Sequence, residues 1–153
     1  MRRGAGRAQL VVGVQRPPLD GVLETCLYVE DVARSREFYR RVFGFKPLLA
    51  DDERICPLDV APGQVLILFK KGGTLRDIPV GNGFIPAHDG GGEVHFAFAI
   101  PHGSIEDWKA FLAQEGVAVE SEIEWPQGGK SLYLRDPDRL VVELATPGLW
   151  ANY

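Results

Sequence analysis

Three residues of types able to bind divalent metal ions, Glu24, His95 and Glu143, each stand in a short stretch where mostly apolar residues occupy every second position. Side chains of a β-strand point alternately to its two faces. Across residues 23–29, Leu23, Thr25, Leu27 and Val29 share one face, and Glu24, Cys26 and Tyr28 share the other. Across 94–100, Val94, Phe96, Phe98 and Ile100 form the bulky set and leave His95 beside Ala97 and Ala99. Across 140–145, Leu140, Val142 and Leu144 oppose Val141, Glu143 and Ala145. With the bulky faces under helices, two carboxylates and one imidazole converge on the opposite, cupped side. Burying two carboxylates costs free energy unless a positive charge neutralises them, and a divalent cation does so while using the lone pair of a neutral histidine. Singly, each residue has a plainer reading: a strand glutamate paired with arginine or lysine, or a hydrogen-bonded core histidine. The joint pattern at matching strand positions is what points to a metal.

The positions match because the chain reads as one unit used twice, over about 21–71 and 93–146. In the first unit a strand at 23–29 leads to Glu30 and Asp31 as a helix cap; Val32, Phe38, Tyr39, Val42 and Phe43 then recur at helical spacing, and Gly44 stops the helix. In the second, a strand at 94–100 precedes Ser104 and Asp107, a capping-box pattern. Ile105, Trp108, Phe111 and Leu112 form that helix's buried face, and Gly116 ends it. Strand-like segments follow each helix, at 46–50, 55–60 and 64–70, then at 117–123, 131–135 and 140–145; Asp136-Pro137-Asp138 marks a turn between the last two. Residues 72–92, rich in glycine and carrying Pro79 and Pro86, read as a linker loop. The expected fold is α+β: paired βαβββ modules forming a cupped eight-stranded mixed sheet around a metal site, with the helices outside. Residues 21–153 make one domain, 1–20 a flexible extension, and 147–153 a tail whose Trp150 and Tyr153 fold back on the domain or on a partner subunit.

His88 lies in the linker just before the His95 strand, placed to swing over the metal as a proton carrier or substrate contact; a solvated loop histidine beside Asp89 is the alternative. Tyr28, Phe69, Trp125 and Tyr133 are pocket-lining candidates, against simple packing. His102, next to the helix start, is expected to be exposed and uninvolved.

The whole chain has 153 residues, 45% hydrophobic and 25% charged, which suits one globular unit with a real core. Its net charge of -4 argues against a nucleic-acid partner, which needs a concentrated basic face. No apolar run approaches the roughly 20 residues of a membrane helix, and the apolar stretch after the basic start is broken by Gly13, Pro17 and Pro18, unlike a secretory signal. Two cysteines, Cys26 and Cys56, are too few for a disulfide scaffold, so a reducing cytoplasm is expected.

The stretch Leu27-Tyr28-Val29-Glu30-Asp31, followed by Ser35, Phe38-Tyr39 and Phe43-Gly44-Phe45, resembles the opening signature of the vicinal oxygen chelate superfamily, the glyoxalase/bleomycin resistance protein/extradiol dioxygenase group. The ending Leu132-Tyr133-Leu134-Arg135-Asp136-Pro137-Asp138, followed by Glu143, resembles its closing signature. The resemblance implies that Glu24, His95 and Glu143 hold one divalent ion, as a metal-dependent lyase, isomerase or transferase acting on a small oxygenated substrate would need. A ring-cleaving dioxygenase and a metal-free antibiotic binder are its other implied functions. The position of a fourth ligand in some members falls at or next to Ile67, which binds no metal, and the glycine usual after Asp-Pro-Asp is replaced by Arg139. Three ligands leave open positions for water and substrate, and two carboxylates with one imidazole suit Mn, Fe, Ni, Zn or Mg. A homodimer is expected, since dimers are common in that superfamily.

Overall fold

A computed structural model describes residues 16–50 and 52–153. Most of the expected N-terminal extension lies outside the described residues. β1 (Glu24–Val29) leads into α1 (Val32–Phe43), which begins where the Asp31 carboxylate accepts the Arg34 N–H at 3.0 Å. Val32, Ser35, Phe38, Tyr39 and Val42 form the helix's buried stripe. Gly44 closes it at φ 73°, its N–H bonded to the Arg40 carbonyl at 3.0 Å, a conformation that suits glycine because it has no Cβ. β2 (Lys46–Pro47), β3 (Ile55–Ala61) and β4 (Gln64–Lys70) complete a sheet of order β1-β4-β3-β2, with β1 parallel to β4. Only two residues of the expected 46–50 strand pair with β3.

The linker is more ordered than its glycines and prolines suggest. It holds a hairpin of β5 (Ile78–Val80) and β6 (Gly83–Ile85), joined by Gly81 and Asn82 with Gly81 at φ 54°. β7 (His95–Ala99), α2 (Ile105–Gln114), β8 (Val119–Glu124), β9 (Lys130–Arg135) and β10 (Val141–Ala145) then repeat the first unit: the order is β7-β10-β9-β8, with β7 parallel to β10. The start of α2 corrects the capping-box expectation. Ser104 makes no cap bond and instead donates to the Pro101 carbonyl at 2.7 Å. Its end is as expected, with Val117 N–H on Leu112 O at 2.8 Å and Gly116 N–H on Ala113 O at 3.2 Å. No helix among the described residues is long and apolar enough to cross a membrane.

The helix-side faces of the two units merge in one core. Leu27, Val29, Tyr39 and Val42 from the first unit and Leu112, Leu132, Leu134, Val142 and Leu144 from the second belong to the same buried cluster. The Phe43 ring packs on Phe98 at 5.2 Å and on Trp108 at 5.9 Å between centroids. Phe111, expected inside, is 37% exposed. The tail folds back on the domain: the Tyr153 hydroxyl donates to Ala145 O at 3.0 Å.

Polar bonds from the Asp136-Pro137-Asp138 turn cross the same junction. The Tyr39 hydroxyl donates to Asp136 Oδ2 at 2.8 Å. Asp138 accepts the Ser35 hydroxyl and the Glu30 N–H, each at 2.8 Å, and pairs with Arg34 at 3.1 Å. Burial pushes the Asp136 carboxyl above its ordinary range. Burial also acts upward on Asp138, but the Glu30 amide, the Ser35 hydroxyl and Arg34 outweigh it, and its carboxyl titrates below the usual value.

Arg139 sits at φ 65°, where a side chain costs about 1 kcal/mol, and its 3.4 Å contact with Glu93 is exposed. Arg139→Gly should therefore raise stability by about 0.5–1 kcal/mol in urea unfolding; a loss would show that the Glu93 contact matters more than the backbone conformation. Because the folded-state pKa of Asp138 is depressed, its stabilisation is full above the unfolded value near ~4 and is lost as pH falls through the folded one. Asp138→Asn should thus be less stable than wild type at pH 7, with the gap narrowing below about pH 4 in melts across pH.

Candidate metal centre

Two of the three expected ligands meet. β10 lies between β7 and β9, and the register sets Val141 beside His95, Glu143 beside Ala97, and Glu143 across from Tyr133. One face of this sheet therefore carries His95, Ala97, Glu143, Ser131 and Tyr133, while Phe96, Phe98, Val142, Leu132 and Leu134 turn to the core. His95 Nε2 is 2.9 Å from Glu143 Oε2. Glu143 is only 4% exposed, and its charge is satisfied by neighbours: Ser131 Oγ donates to Oε1 at 2.5 Å and the Tyr133 hydroxyl donates to Oε1 at 3.1 Å. Burial, then the Glu143 carboxylate, pushes the Tyr133 phenol above its ordinary pKa, so it stays a protonated donor at neutral pH. The His95 side chain is half exposed and reachable from solvent.

The donor set fits a divalent ion as far as it goes. Two donors each about 2.1 Å from one ion at a right angle lie about 3 Å apart, the spacing of His95 Nε2 and Glu143 Oε2. Glu24 is not with them. It begins β1 in the other sheet, exposed, and among the described residues no three His, Cys, Asp or Glu side chains are grouped to hold an ion. Ile67 is buried on the Glu24 side of its sheet, next to Cys26 in register, and offers no donor.

The pocket candidates divide between the two sheets. Tyr28 and Phe69, neighbours in register on β1 and β4, stack at 5.7 Å on the face that also carries Glu24. His88 lies against both: its Nδ1 is 2.6 Å from the Tyr28 hydroxyl, and its ring is 4.8 Å from that of Phe69. The linker is held there by Thr74, whose carbonyl accepts the His88 N–H at 3.0 Å and whose hydroxyl donates to the His88 carbonyl, and by Asp89, which accepts the Gly72 N–H at 3.2 Å. Trp125, at the end of β8, gives its indole N–H to Ser131 Oγ at 2.8 Å. Sequence reasoning passed over Ser131. Its signal was there, two residues before Tyr133 on the same strand face. A half-open pocket of about 280 Å³ lies beside β1, β4 and β7, lined by Thr25, Phe96 and Phe98 among others, and contains none of the candidate ligands.

A family model described as the Glyoxalase/Bleomycin resistance protein/Dioxygenase superfamily matches residues 21–144. No curated protein gives a significant match. Among solved structures, lactoylglutathione lyase from Agrobacterium tumefaciens is similar at 31% identity with a TM-score of 0.79, over 88% of this chain and 99% of that one. The genomically encoded fosfomycin resistance protein FosX from Listeria monocytogenes matches at 18% identity and a TM-score of 0.61, over 86% and 97% of the two chains. A mutant of that protein complexed with Mn(II) and 1S,2S-dihydroxypropylphosphonic acid matches at 19% identity and 0.59, over 83% and 90%. At such identities the FosX likeness is one of fold.

The seating of the His88 loop generates a direct test. Gly90 lies flat on the Tyr28 ring, and a Cβ there would come within 2.5 Å of Tyr28 Cδ2, whereas Gly91 faces open space. Gly90→Ala should destabilise by about 1–3 kcal/mol in denaturant titration, while Gly91→Ala stays neutral or gains up to about 1 kcal/mol. Equal effects of the two would show that the loop does not rest on Tyr28.

Proposed function

The chain belongs to the glyoxalase/bleomycin resistance protein/dioxygenase superfamily, and on that premise we propose that it is a metal-dependent lyase, isomerase or transferase acting on a small oxygenated substrate. The observation that supports this most is the His95–Glu143 pair, a solvent-reachable imidazole and a buried, hydrogen-bonded carboxylate at ligand spacing on one sheet face. Likeness to lactoylglutathione lyase makes that activity the first to assay. We take Mn, Fe, Ni, Zn or Mg as the ion, given carboxylate and imidazole donors.

His95 and Glu143 would help hold the divalent ion, which when bound would supply Lewis-acid activation of a substrate oxygen. The chain's own residues do the rest. Ser131 and Tyr133 donate to Oε1 of Glu143 and hold its carboxyl group in place. His88, steadied through Nδ1 by Tyr28, is our candidate for moving a proton to or from substrate, with Tyr28 and Phe69 as an aromatic wall.

Glu24 is the proposed third ligand, supplied by a second copy of the chain. Among the described residues β1 and β7 each pair on one side only, so both leave an unpaired edge. Glu24 and His95 open these two strands, and a homodimer joining β1 of one copy to β7 of the other brings the two faces together.

Metal analysis and subunit mixing test this reading. Wild type purified without chelator should hold one ion per chain, and Glu24→Ala, His95→Ala and Glu143→Ala should each lose it. If the site spans two copies, remixing the Glu24→Ala and Glu143→Ala proteins restores about a quarter of the sites, because half the dimers are mixed and each has one intact site. No recovery would return the site to a single chain. A wild type that takes up no metal but binds aromatic antibiotics would make the protein a binder instead.

A further inference from the structure

We infer that Trp125 and Ser131 are positioning residues that aim the Glu143 carboxylate at the metal, a step that rests on the metal reading above. The indole N–H of Trp125 can only donate, and it reaches Ser131 Oγ at 2.8 Å. With that lone pair engaged, the single proton of the Ser131 hydroxyl goes to Glu143 Oε1, 2.5 Å away. The relay has one direction because its first member cannot accept. Tyr133 adds a second donor to the same oxygen at 3.1 Å. A buried carboxylate that merely needed satisfying would gain as much from donors shared between its oxygens. Here both hydroxyls take Oε1, and Oε2 is left facing His95 Nε2 alone.

The relay is built into the fold. Ser131 is fully buried, so its hydroxyl has no solvent to turn to if the indole is removed. Trp125 is fixed by the tight turn after β8, where its N–H bonds to Gly129 O at 2.7 Å and its carbonyl accepts the Gly128 N–H at 2.9 Å. Gly129 is seated on the backbone of Gly148, where a Cβ would come within 2.6 Å of the carbonyl carbon. The C-terminal segment holding Gly148 is returned to the domain by its own bond from Gly148 N–H to Tyr153 O at 2.8 Å and by the Tyr153 hydroxyl on Ala145 O. The tail thus supports the turn, the turn supports the indole, and the indole sets the direction of the serine proton.

Calorimetric titration of the full-length protein with Mn(II), with melting temperatures recorded alongside, tests this. Trp125→Phe keeps the ring and removes the donor; Ser131→Ala removes the relay; Ser131→Thr restores the hydroxyl. Trp125→Phe and Ser131→Ala should weaken Mn(II) binding by about 10–100-fold, and Ser131→Thr should bind within a few-fold of wild type. In a proton–nitrogen spectrum the Trp125 indole resonance should shift in Ser131→Ala and return in Ser131→Thr. Should Ser131→Ala fail to fold, the half-buried Trp125 carries the test through Trp125→Phe. Wild-type Mn(II) affinity in a folded Trp125→Phe protein overturns this inference alone, whereas a wild type that binds no Mn(II) overturns the metal reading and this inference with it.

Discussion

The contact on which the rest of the molecule depends is the grip of the Asp136-Pro137-Asp138 turn on the first helix. Asp138 receives the Glu30 amide, the Ser35 hydroxyl and Arg34, and Asp136 receives the Tyr39 hydroxyl, all from the other module. Burying two carboxylates this close together is unfavourable unless each finds donors, so the turn stays in place only while α1 lies where it does. The turn is also the loop of the β9–β10 hairpin. Ser131 and Tyr133 come from one arm of that hairpin and Glu143 from the other. A clamp made for joining modules therefore also fixes the strands that assemble the candidate ligands, and an error at Ser35 or Tyr39 would be felt at Glu143 through the hairpin.

Glu143 shows the same physics on the opposite face of the sheet. Its carboxylate is nearly as sequestered as those of the turn, yet its third polar neighbour is a half-exposed histidine instead of a fixed structural donor. The contrast separates the two kinds of buried charge in this fold. Asp136 and Asp138 are surrounded by groups from α1 and from their own turn. Glu143 is saturated on one oxygen only, with its other oxygen beside an imidazole that solvent and a ligand can reach.

Much of this was legible in the residues. Alternation in three strands placed Glu24, His95 and Glu143 opposite the bulky faces, and the repeat of strand, helix and three strands appears in both sheets with identical order. Asp31 and Gly44 bound α1 as their chemistry requires. Ser104 shows the limit of such patterns: its hydroxyl had a nearer acceptor in Pro101 O, so a matching motif did not become a cap. In the linker, Pro79 and the glycines concealed a hairpin, although Gly81-Asn82 between Val80 and Gly83 is itself a turn signal. Alternation says which face a residue takes and nothing about which sheet that face will meet. Glu24 and His95 could be read as sharing a direction, but their separation within one chain is a matter of how the modules dock, which no local pattern encodes. Ser131 was missed for a related reason, since a serine in a strand has chemistry only through its cross-strand neighbours.

The two modules share one topology and differ in the side chains their faces carry. The first module's face is largely apolar, with Cys26, Tyr28, Ile67 and Phe69 on adjacent register positions, Glu24 at one end, and His88 laid over the other by the linker. Burial, and then the Glu24 charge, holds the Cys26 thiol above its ordinary pKa. The second module's face gathers the imidazole, the carboxylate and the hydroxyls that orient it. A face already crowded with satisfied polar groups has little room to vary with substrate shape, whereas an aromatic wall crossed by a loop has a great deal. Under the proposed function, selectivity among substrates would reside in the first module and its linker, and the constant part of the chemistry in the second.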